Sequence, residues 1–516
     1  MFAVTRIPPS LIEDRLDARY NAPLAVETRK KILTSGIKSN SVGGLYNLVC
    51  GPFGSTLTSD EHDASGEVLL IQPTNISGDA FSDASSWRIT KKALIEKDLK
   101  TYPEGTLLFA RVGIYPHVGI IPKEAGLCTI SSSMIAGLPK SDLDTHFLVA
   151  FFKCIYGNIL LNAAQKVTAQ PTIGTTEISN TMVPIPDEVA QKYIGDKVRQ
   201  AEQLRAWTKR LEVKLALLEN QIPTSKPVVG ESKHSKATLE FLTENRLDAR
   251  YYAKKHLDLY AQFNNEFESF GSICSSFKYG ASIAANYVNS EGLPFIRGNA
   301  LSPNRINQDD IVYLSKSLKD ELKTAYVEEG DILITRSGTV GVTTHVAAEH
   351  ARYWYGSFII KCKLAANSYL PAYVSWYLNS WVGQQQFRRL ENGAVQLNIN
   401  TEELSSIAIW KAPQEFQTEI DKLLIEQISA VNLSKSLTSA AKTLVEALID
   451  GQLTEQQLIQ AQQALDDGDN SLDQAILSKL SNEGYAIEGA TPLFSDIDEL
   501  YHLLESAAQT EAEAEE

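Results

Sequence analysis

The chain has 516 residues, 43% hydrophobic and 22% charged, which is too long for one core and ordinary for a soluble protein. Its formal net charge is −15, but residues 451–516 hold 15 acidic residues against the single basic Lys479, so the remainder is nearly neutral. Composition therefore excludes a membrane protein with apolar spans of about 20 residues, and it neither excludes nor favours a basic groove for nucleic acid.

The start of the chain and its cysteines indicate a cytoplasmic protein. Residues 1–10 lack the basic segment and apolar core of a secretion signal, so we expect the chain to stay in the cytoplasm without membrane contact. The cysteines are odd in number and scattered, without a Cys-x-x-Cys pair, which predicts reduced thiols and neither a disulfide framework nor a zinc site. They are Cys50, Cys128, Cys154, Cys274 and Cys362.

The segment 15–20 reads Arg-Leu-Asp-Ala-Arg-Tyr, and the same six residues recur at 246–251. Ordered pairs of similar segments at nearly constant spacing indicate a tandem duplication. Three further pairs follow in the same order, 225 to 231 residues apart: 105–113 with 330–338, 167–173 with 393–399, and 216–222 with 447–453. The sequence therefore predicts two similar domains, with small loop deletions in the second copy.

The first copy mixes helices and short strands. We expect a helix over 21–37, apolar strands at 68–71 and 107–110, and a helix over 145–164, with Gly, Pro, Asn and Asp clusters between the strands. Strands and helices do not alternate regularly, so an α+β fold is favoured over a doubly wound sheet.

Two long helices are predicted, one in each copy. The first spans 187–222, and its apolar or small residues recur in steps of three and four, which is typical of a coiled-coil-like stripe. At about 1.5 Å per residue this helix is roughly 50 Å long. The second runs from Pro413 to about 450, and two such stripes are expected to pair. A stripe that forms only one wall of a core is the alternative interpretation. The first stripe comprises positions 194, 198, 201, 204, 208, 211, 215, 218 and 222; the second includes Phe416, Ile420, Leu424, Ile428, Leu437, Ala441, Leu444 and Leu448.

The expected organisation is an internally duplicated α+β chain with two globular domains and a pair of long antiparallel helices. The acidic extension should contain short helices at 455–465, 472–480 and 496–506, and a disordered end at 511–516. The predicted limits are 1–186 for the first domain with an N-terminal arm, 187–222 for the first helix, 223–240 for a linker, 241–411 for the second domain, 412–450 for the second helix, and 451–516 for the extension.

No catalytic motif emerges from the sequence. The chain lacks a phosphate-binding Gly-x-x-x-x-Gly-Lys-Ser/Thr loop, a His-Glu-x-x-His helix, a Gly-x-Ser-x-Gly elbow and an adenine-methyltransferase signature. Asp187 with Glu212 and Lys214 imitates a nuclease pattern, but Glu212 and Lys214 fall inside a predicted helix, where such sites require strands. His117 lies in a loop but has no counterpart in the second copy. We therefore predict no catalytic residue, no metal and no cofactor on this chain.

Polar side chains recur in equivalent loops of both copies. They follow the strands at 68–71 and 293–296, follow the strands at 107–110 and 332–335, or precede the long helices. Arg, Asn and Gln bind base edges, and Arg, Ser and Thr hold phosphates. The ordinary alternative is that each is solvated or pairs with a carboxylate. The predicted DNA-binding residues are Gln72, Asn75, Arg111, Gln170, Arg297, Asn299, Arg336, Ser337, Thr339, Gln396 and Asn398.

The repeated hexapeptide, the run Gly-Asp-Ile-Leu-Ile-Thr-Arg-Ser-Gly-Thr-Val-Gly at 330–341, and Gly-Ala-Val-Gln-Leu-Asn-Ile-Asn at 393–400 before a long helix resemble the DNA specificity subunit of type I restriction-modification systems. The resemblance covers residues 10 to about 453. The run at 105–113 is less typical, and the extension lies outside the pattern.

This resemblance implies two target-recognition domains held apart by two antiparallel helices, each domain reading half of a bipartite double-stranded DNA target. It also implies two methyltransferase subunits and restriction-translocase subunits as partners, which would carry S-adenosylmethionine and ATP.

Two other functions remain open from the residues alone. The paired helices would suit a protein scaffold whose domains do not touch DNA, and an enzyme with an unrecognised site is a third possibility. The acidic extension would dock on a basic partner surface, imitate nucleic acid, or only increase solubility.

Overall fold

The computed structural model describes residues 15–515 except positions 16, 53, 55, 58, 84–86, 115, 141, 167–169, 227–235, 244, 245, 247, 285, 290, 367, 368, 394 and 395. The expected arm at 1–14, the middle of the expected linker, and parts of the repeated segments at 167–173 and 393–399 lie outside the described residues. The chain divides into two compact units: unit 1 is Met1–Thr208 with Ala430–Glu516, and unit 2 is Lys209–Ser429. The domain limits drawn from the sequence stay predictions.

The first copy is an α+β domain in unit 1. A four-stranded antiparallel sheet has the order β2-β8-β5-β6, and a three-stranded sheet has the order β4-β3-β7, in which β3 and β7 are parallel. Its elements are α1 Pro23–Thr34, β1 Ser39–Ser41, α2 Val42–Leu45, β2 Tyr46–Cys50, β3 Val68–Ile71, β4 Trp87–Ile89, α3 Lys91–Glu96, β5 Leu107–Ala110, β6 Val118–Ile120, β7 Cys128–Ile130, β8 Met134–Pro139, α4 Thr145–Lys153, α5 Ile155–Ala164, α6 Thr175–Ser179, β9 Met182–Pro184 and the start of α7 Glu188–Leu218.

Strand β5 lies between two hydrophobic cores. Successive side chains of a strand point to opposite faces. Leu107 and Phe109 pack into the core that also holds α4 and α5, whereas Leu108 and Ala110 pack into the core around β3 and β7. Both faces are covered, which is why all four residues of this strand are apolar.

The second copy, in unit 2, repeats this arrangement. Its four-stranded sheet β11-β20-β17-β18 has the order of the first copy's, and β13 pairs in parallel with β19 as β3 does with β7. Its elements are α8 Lys254–Tyr260, β10 Phe267–Ser269, α9 Phe270–Ile273, β11 Cys274–Tyr279, β12 Tyr287–Val288, β13 Leu293–Ile296, β14 Leu301–Ser302, β15 Arg305–Ile306, β16 Val312–Leu314, α10 Lys319–Leu322, β17 Ile332–Thr335, β18 Thr343–His345, β19 Trp354–Tyr355, β20 Ile359–Leu364, α11 Pro371–Asn379, α12 Trp381–Leu390, α13 Thr401–Ser405, β21 Ala408–Trp410 and the start of α14 Gln414–Ile449.

The single helix expected over 145–164 is two helices. They meet at Cys154 with a bend of 78°, and α11 and α12 meet in the same way at Ser380. A Cβ on Gly157 or Gly383 would lie 2.1 or 2.4 Å from a backbone oxygen of the preceding helix, so only glycine permits this close approach. Within the described residues no single helix has the length and apolarity needed to cross a membrane, although α4 and α5 meet that test as a bent pair.

The repeated hexapeptide clamps the end of α5 or α12. Arg15 donates hydrogen bonds to the Asp17 carboxylate at 2.8 Å and to the Ala164 carbonyl at 2.6 Å, and its guanidinium lies 4.8 Å from the centre of the Tyr20 ring. Arg246 repeats these contacts with Asp248, Leu390 and Tyr251 at 2.8, 2.9 and 4.7 Å. The motif that revealed the duplication therefore has a structural role.

The predicted stripes are buried. All nine stripe positions of α7 and its continuation to Ile222 are at most 9% exposed, and in α14 every residue named above is buried except Ile428. In unit 1 the Arg205 guanidinium donates to the Thr438 hydroxyl at 2.6 Å. In unit 2 Gln427 contacts Glu212 at 3.3 Å, and Lys214 faces Glu419 at 3.9 Å. The two helices pair antiparallel, as the stripes predicted.

The acidic extension is folded and belongs to unit 1. Its apolar residues, including Leu458, Leu477 and Leu500, join the core that contains the start of α7 and the end of α14. The disordered end expected at 511–516 is wrong for the backbone through Glu515, because alternating Ala and Glu are good helix formers and continue the last helix. The elements are α15 Glu455–Asp466, α16 Ser471–Leu477, β22 Leu480–Ser481, β23 Gly484–Tyr485 and α17 Ile497–Glu515.

Candidate nucleic-acid interface

Arg111 begins a loop that a fixed set of backbone hydrogen bonds holds in the first copy. Its amide donates to the Ser133 carbonyl at 2.8 Å, and its own carbonyl accepts from the Ile173 amide at 2.9 Å. The Gly113 amide donates to the Pro171 carbonyl at 3.2 Å. The loop after β5 therefore lies beside both the β7–β8 connection and the loop that contains Gln170.

Arg336 has the same backbone surroundings in the second copy. Its amide donates to Phe358 at 2.9 Å, its carbonyl accepts from Ile399 at 3.0 Å, and the Gly338 amide donates to Leu397 at 3.1 Å. Each partner lies 225 or 226 residues after its counterpart in the first copy. The two copies thus place equivalent loops in equivalent positions.

The Arg336 side chain is held by two neighbours. Its guanidinium carbon lies 4.6 Å from the centre of the Tyr279 ring, and its Nε donates to the Asn398 side-chain oxygen at 3.2 Å. The Tyr279 hydroxyl accepts from the Thr401 amide at 3.3 Å, which fixes the ring. Arg336 is only partly exposed, so a defined part of its guanidinium faces outward.

Arg111 lacks these supports. Its side chain is exposed and makes no hydrogen bond or ion pair with any residue that the structure describes. Strand pairing places Cys50 where the second copy has Tyr279, since Cys50 pairs with Ile135 as Tyr279 pairs with Ile360. Thr172 replaces Asn398 at the neighbouring position.

Three more predicted residues join Arg336. The Gln396 amide donates to the Ser337 hydroxyl at 2.9 Å, and Ser337 forms a β-bridge with Asn398. Thr339 is exposed in the same loop, and its carbonyl accepts from the Thr335 hydroxyl at 2.5 Å. Arg336, Ser337, Thr339, Gln396 and Asn398 therefore form one polar surface. In the first copy Gln170 is exposed in the loop next to Arg111.

The loop after β3 contains the other predicted residues of the first copy. Asn75 is 1% exposed; its side-chain oxygen accepts from the Gln72 amide at 2.7 Å, and its side-chain nitrogen donates to the Ser82 carbonyl at 2.7 Å. Asn75 therefore shapes the loop, whereas the partly exposed Gln72 side chain lines a surface cavity.

The corresponding loop of the second copy presents Arg297 and Asn299. The Arg297 guanidinium lies 5.7 Å from the centre of the Tyr287 ring, and its buried Nε has no hydrogen-bond partner within the described ranges. Asn299 is exposed. Unlike Asn75, it is free to meet a ligand.

The connection between β7 and β8 was missed by sequence reasoning. Ser131 donates from its amide to the Ile71 carbonyl at 2.9 Å, and the Ser133 carbonyl accepts from Arg111, so this connection joins the two loops that contain Gln72 and Arg111. In the second copy the same connection ends in Phe358, which is 58% exposed beside Arg336. Three consecutive serines after an apolar strand were the only sequence signal.

Next to this connection the first copy has a cavity of about 210 Å³. Trp87 and His62 form one wall, with ring centres 4.9 Å apart, and Gln72 and the three serines contribute hydrogen-bonding groups. Aromatic rings beside polar groups suit contacts with bases and sugars.

The most enzyme-like position is a cavity of about 330 Å³ that contains Lys153 and His117. Burial lowers the pKa of Lys153 to about 8 and also lowers the pKa of His117. However, the Lys153 ammonium donates to the Gly78 and Asp79 carbonyls at 3.1 and 2.7 Å. Asn379 makes equivalent loop contacts in the second copy, so Lys153 serves to anchor a loop.

Comparisons with known proteins agree on one family. The sequence profile of the type I restriction modification DNA specificity domain matches residues 40–216 and 264–440. The S subunit of a type I restriction-modification system from M. genitalium is 12% identical over 82% of this chain and 98% of that chain, with a TM-score of 0.44. The HsdS subunit from Thermoanaerobacter tengcongensis is 13% identical over 81% of this chain and 97% of that chain, with a TM-score of 0.27. No curated protein sequence matches.

Proposed function

The chain belongs to the type I restriction-modification DNA specificity family, and from this premise we propose that each copy reads one half of a bipartite double-stranded DNA target. Specificity subunits of these systems are non-catalytic, so the family confirms the prediction that this chain is not itself an enzyme. Methylation and cleavage then belong to separate subunits.

One observation carries the proposal: two equivalent loop frameworks present different side chains. The framework around Arg111 places Cys50 and Thr172 beside the arginine, whereas that around Arg336 places Tyr279 and Asn398 there. Two readers of unlike half-sites need a common scaffold and different contact groups, because base identity is read from the donors, acceptors and methyl groups in the groove.

Among the predicted contact residues, we assign base or phosphate contacts to the exposed and partly exposed ones. These are Gln72, Arg111, Gln170, Arg297, Asn299, Arg336, Ser337, Thr339, Gln396 and Asn398, to which we add Ser133 and Phe358. Asn75 acts indirectly by holding the Gln72 loop. An exposed phenyl ring suits a thymine methyl group, so Phe358 is a candidate for apolar base contact.

The paired helices are proposed to fix the distance between half-sites and to dock partners. A helix of 31 residues such as α7 is about 46 Å long at about 1.5 Å per residue, which corresponds to roughly 14 base pairs of about 3.4 Å. An internally duplicated chain offers equivalent surfaces to two copies of one partner. We propose two methyltransferase subunits as that partner, with restriction-translocase subunits joining them in the cytoplasm; S-adenosylmethionine and ATP bind those subunits.

The test is a methylome. The chain is expressed with the methyltransferase subunit of the same system in a host without one, and methylated adenines are mapped by long-read sequencing. We expect one bipartite motif, and a chimera with the first domain of another family member should change one half only.

A chimera that changes both halves would contradict separate reading by the two copies. Expression that yields no sequence-specific methylation, although the subunits co-purify, would favour the scaffold function instead.

A further inference from the structure

The acidic extension covers one face of the paired helices within unit 1. It lies beyond the family profile, which ends at residue 440, yet its apolar side chains share a core with the start of α7 and the end of α14. The extension is therefore a structural addition seated on helices to which we assign partner docking.

A buried charged cluster fastens the extension to α7. The Asp473 carboxylate accepts from the Lys197 ammonium at 2.7 Å, from the Tyr193 hydroxyl at 2.6 Å and from the Tyr501 hydroxyl at 2.5 Å. Lys197 and Asp473 are each 1% exposed. Burial raises the pKa of Asp473, but the Lys197 charge and the hydrogen bonds lower it by more, so the net pKa lies below its ordinary value. Both charges are thus present and both depend on the extension being in place.

Further contacts reach both helices of the pair. Two are to α7: the Lys192 ammonium meets Asp466 at 3.1 Å, and the Gln203 amide meets the Leu504 carbonyl at 3.5 Å. On α14, the Ser436 hydroxyl donates to the Leu493 carbonyl at 2.9 Å. The extension therefore spans the pair.

The face that corresponds by the repeat in unit 2 is bare. Glu446 accepts from the amide that begins α5, and Glu219 accepts from the amide that begins α12, so these glutamates mark equivalent points, 227 residues apart. By the same separation, Ala440 and Leu444, which lie one and two turns beyond Ser436, correspond to Val213 and Leu217. Ala440 and Leu444 are fully buried. Val213 and Leu217 are 61% and 62% exposed.

We propose that the extension is a cap that closes the unit 1 face of the helix pair to a methyltransferase subunit, whereas the Val213 and Leu217 face of unit 2 stays open. The first methyltransferase subunit then binds unit 2, and the second binds only when the cap moves away. This inference rests on the proposed docking of two such subunits on the helices. Its support is the repeat: equivalent faces suit the same partner, and the chain itself occupies one of them.

The buried pair makes the cap sensitive to a single substitution. Removing one partner of a buried ion pair leaves the other charge desolvated and unpaired. In Asp473→Asn, Lys197 regains water only if the cap leaves, so the open form is favoured. The partly exposed pair of Lys192 and Asp466 is the matched control, because surface ion pairs contribute little.

The experiment titrates the full chain with the methyltransferase subunit of the same system and counts bound subunits by native mass spectrometry. For the wild-type chain we expect a second subunit to bind at least tenfold more weakly than the first. Asp473→Asn should strengthen the second binding at least tenfold, and Asp466→Asn should behave as the wild type. Hydrogen exchange of α15–α17 should rise only when the second subunit is bound.

Two further variants protect the test against misfolding. Lys197→Met combined with Asp473→Leu replaces the charges by apolar groups, so it should restore the closed cap and the weak second binding. Val213→Glu combined with Leu217→Glu should remove the first binding; retention of that binding would overturn the proposal.

Two equal sites on the wild-type chain, with α15–α17 still protected from exchange, would also overturn it. So would loss of all binding in Asp473→Asn, since the extension would then be part of the docking surface. Failure of every form, including the wild type, to bind the subunit would instead overturn the docking role under the proposed function, and the cap with it.

Discussion

Arg111 and Arg336 occupy the same backbone position in the two copies, yet only one is preorganised. Arg336 is held between the Tyr279 ring and Asn398, whereas Arg111 is exposed without a hydrogen-bond or ion-pair partner in the described part of the chain. A side chain already fixed loses less conformational entropy on binding. The difference teaches that duplication preserved the loop framework, while contact residues from distant segments diverged.

The largest expected effect separates the two arginines by half-site. Arg336→Ala should weaken binding about 10- to 100-fold, since loss of an arginine base contact costs about 1–3 kcal/mol, and should relax one half of the target only. Arg111→Ala should relax the other half. Fluorescence anisotropy with duplexes mutated in either half measures this in the complex with methyltransferase subunits.

The exposed Arg388 at the end of α12 provides a control, since Arg388→Ala removes the same charge away from these loops. A loss of discrimination in both halves from Arg336→Ala alone would break the comparison.

The two asparagines after β3 and β13 should differ in stability. Asn75→Ala leaves the Gln72 amide and the Ser82 carbonyl without their partner, so it should lower the free energy of unfolding by about 1–3 kcal/mol. Asn299→Ala, at an exposed position, should change it by less than about 0.5 kcal/mol. Urea unfolding measures both. Equal losses would show that the two loops are built alike.

Removing the ring under Arg336 should have a smaller effect on binding. Tyr279→Ala deletes a cation–π contact of about 1 kcal/mol, which predicts binding about fivefold weaker for the half-site read by the second copy. Tyr279→Phe retains the ring and should stay within about twofold. If both variants bind alike, the ring does not position Arg336.

The reverse transfer should give the smallest change. Cys50→Tyr places a ring at the equivalent strand position and should tighten the half-site of the first copy by about threefold at most. Cys50→Tyr with Thr172→Asn adds the second support and should exceed the single variant. Calorimetric titration with duplex DNA measures both, and weaker binding by the double variant would mean that Arg111 must move freely.

Periodic features were predictable from the sequence because they are local. Every stripe position of the first long helix is buried as expected, since steps of three and four residues align on one face of any α-helix. The break at Cys154 was not predictable from apolar periodicity, because both helices are buried on most sides and the pattern continues through the bend. The polar loops were located, but the burial of Asn75 and the exposure of Asn299 were not distinguished.

The sequence by itself determined the duplication, the α+β class, the two long helices and the family, since all of these are recorded in order and spacing along the chain. Tertiary structure alone decided that Tyr279 and Asn398 meet Arg336, that Cys50 and Thr172 replace them beside Arg111, and that Asp473 pairs with Lys197. These partners lie tens to hundreds of residues apart, and no local periodicity encodes which side chains the folded sheets and helices bring together.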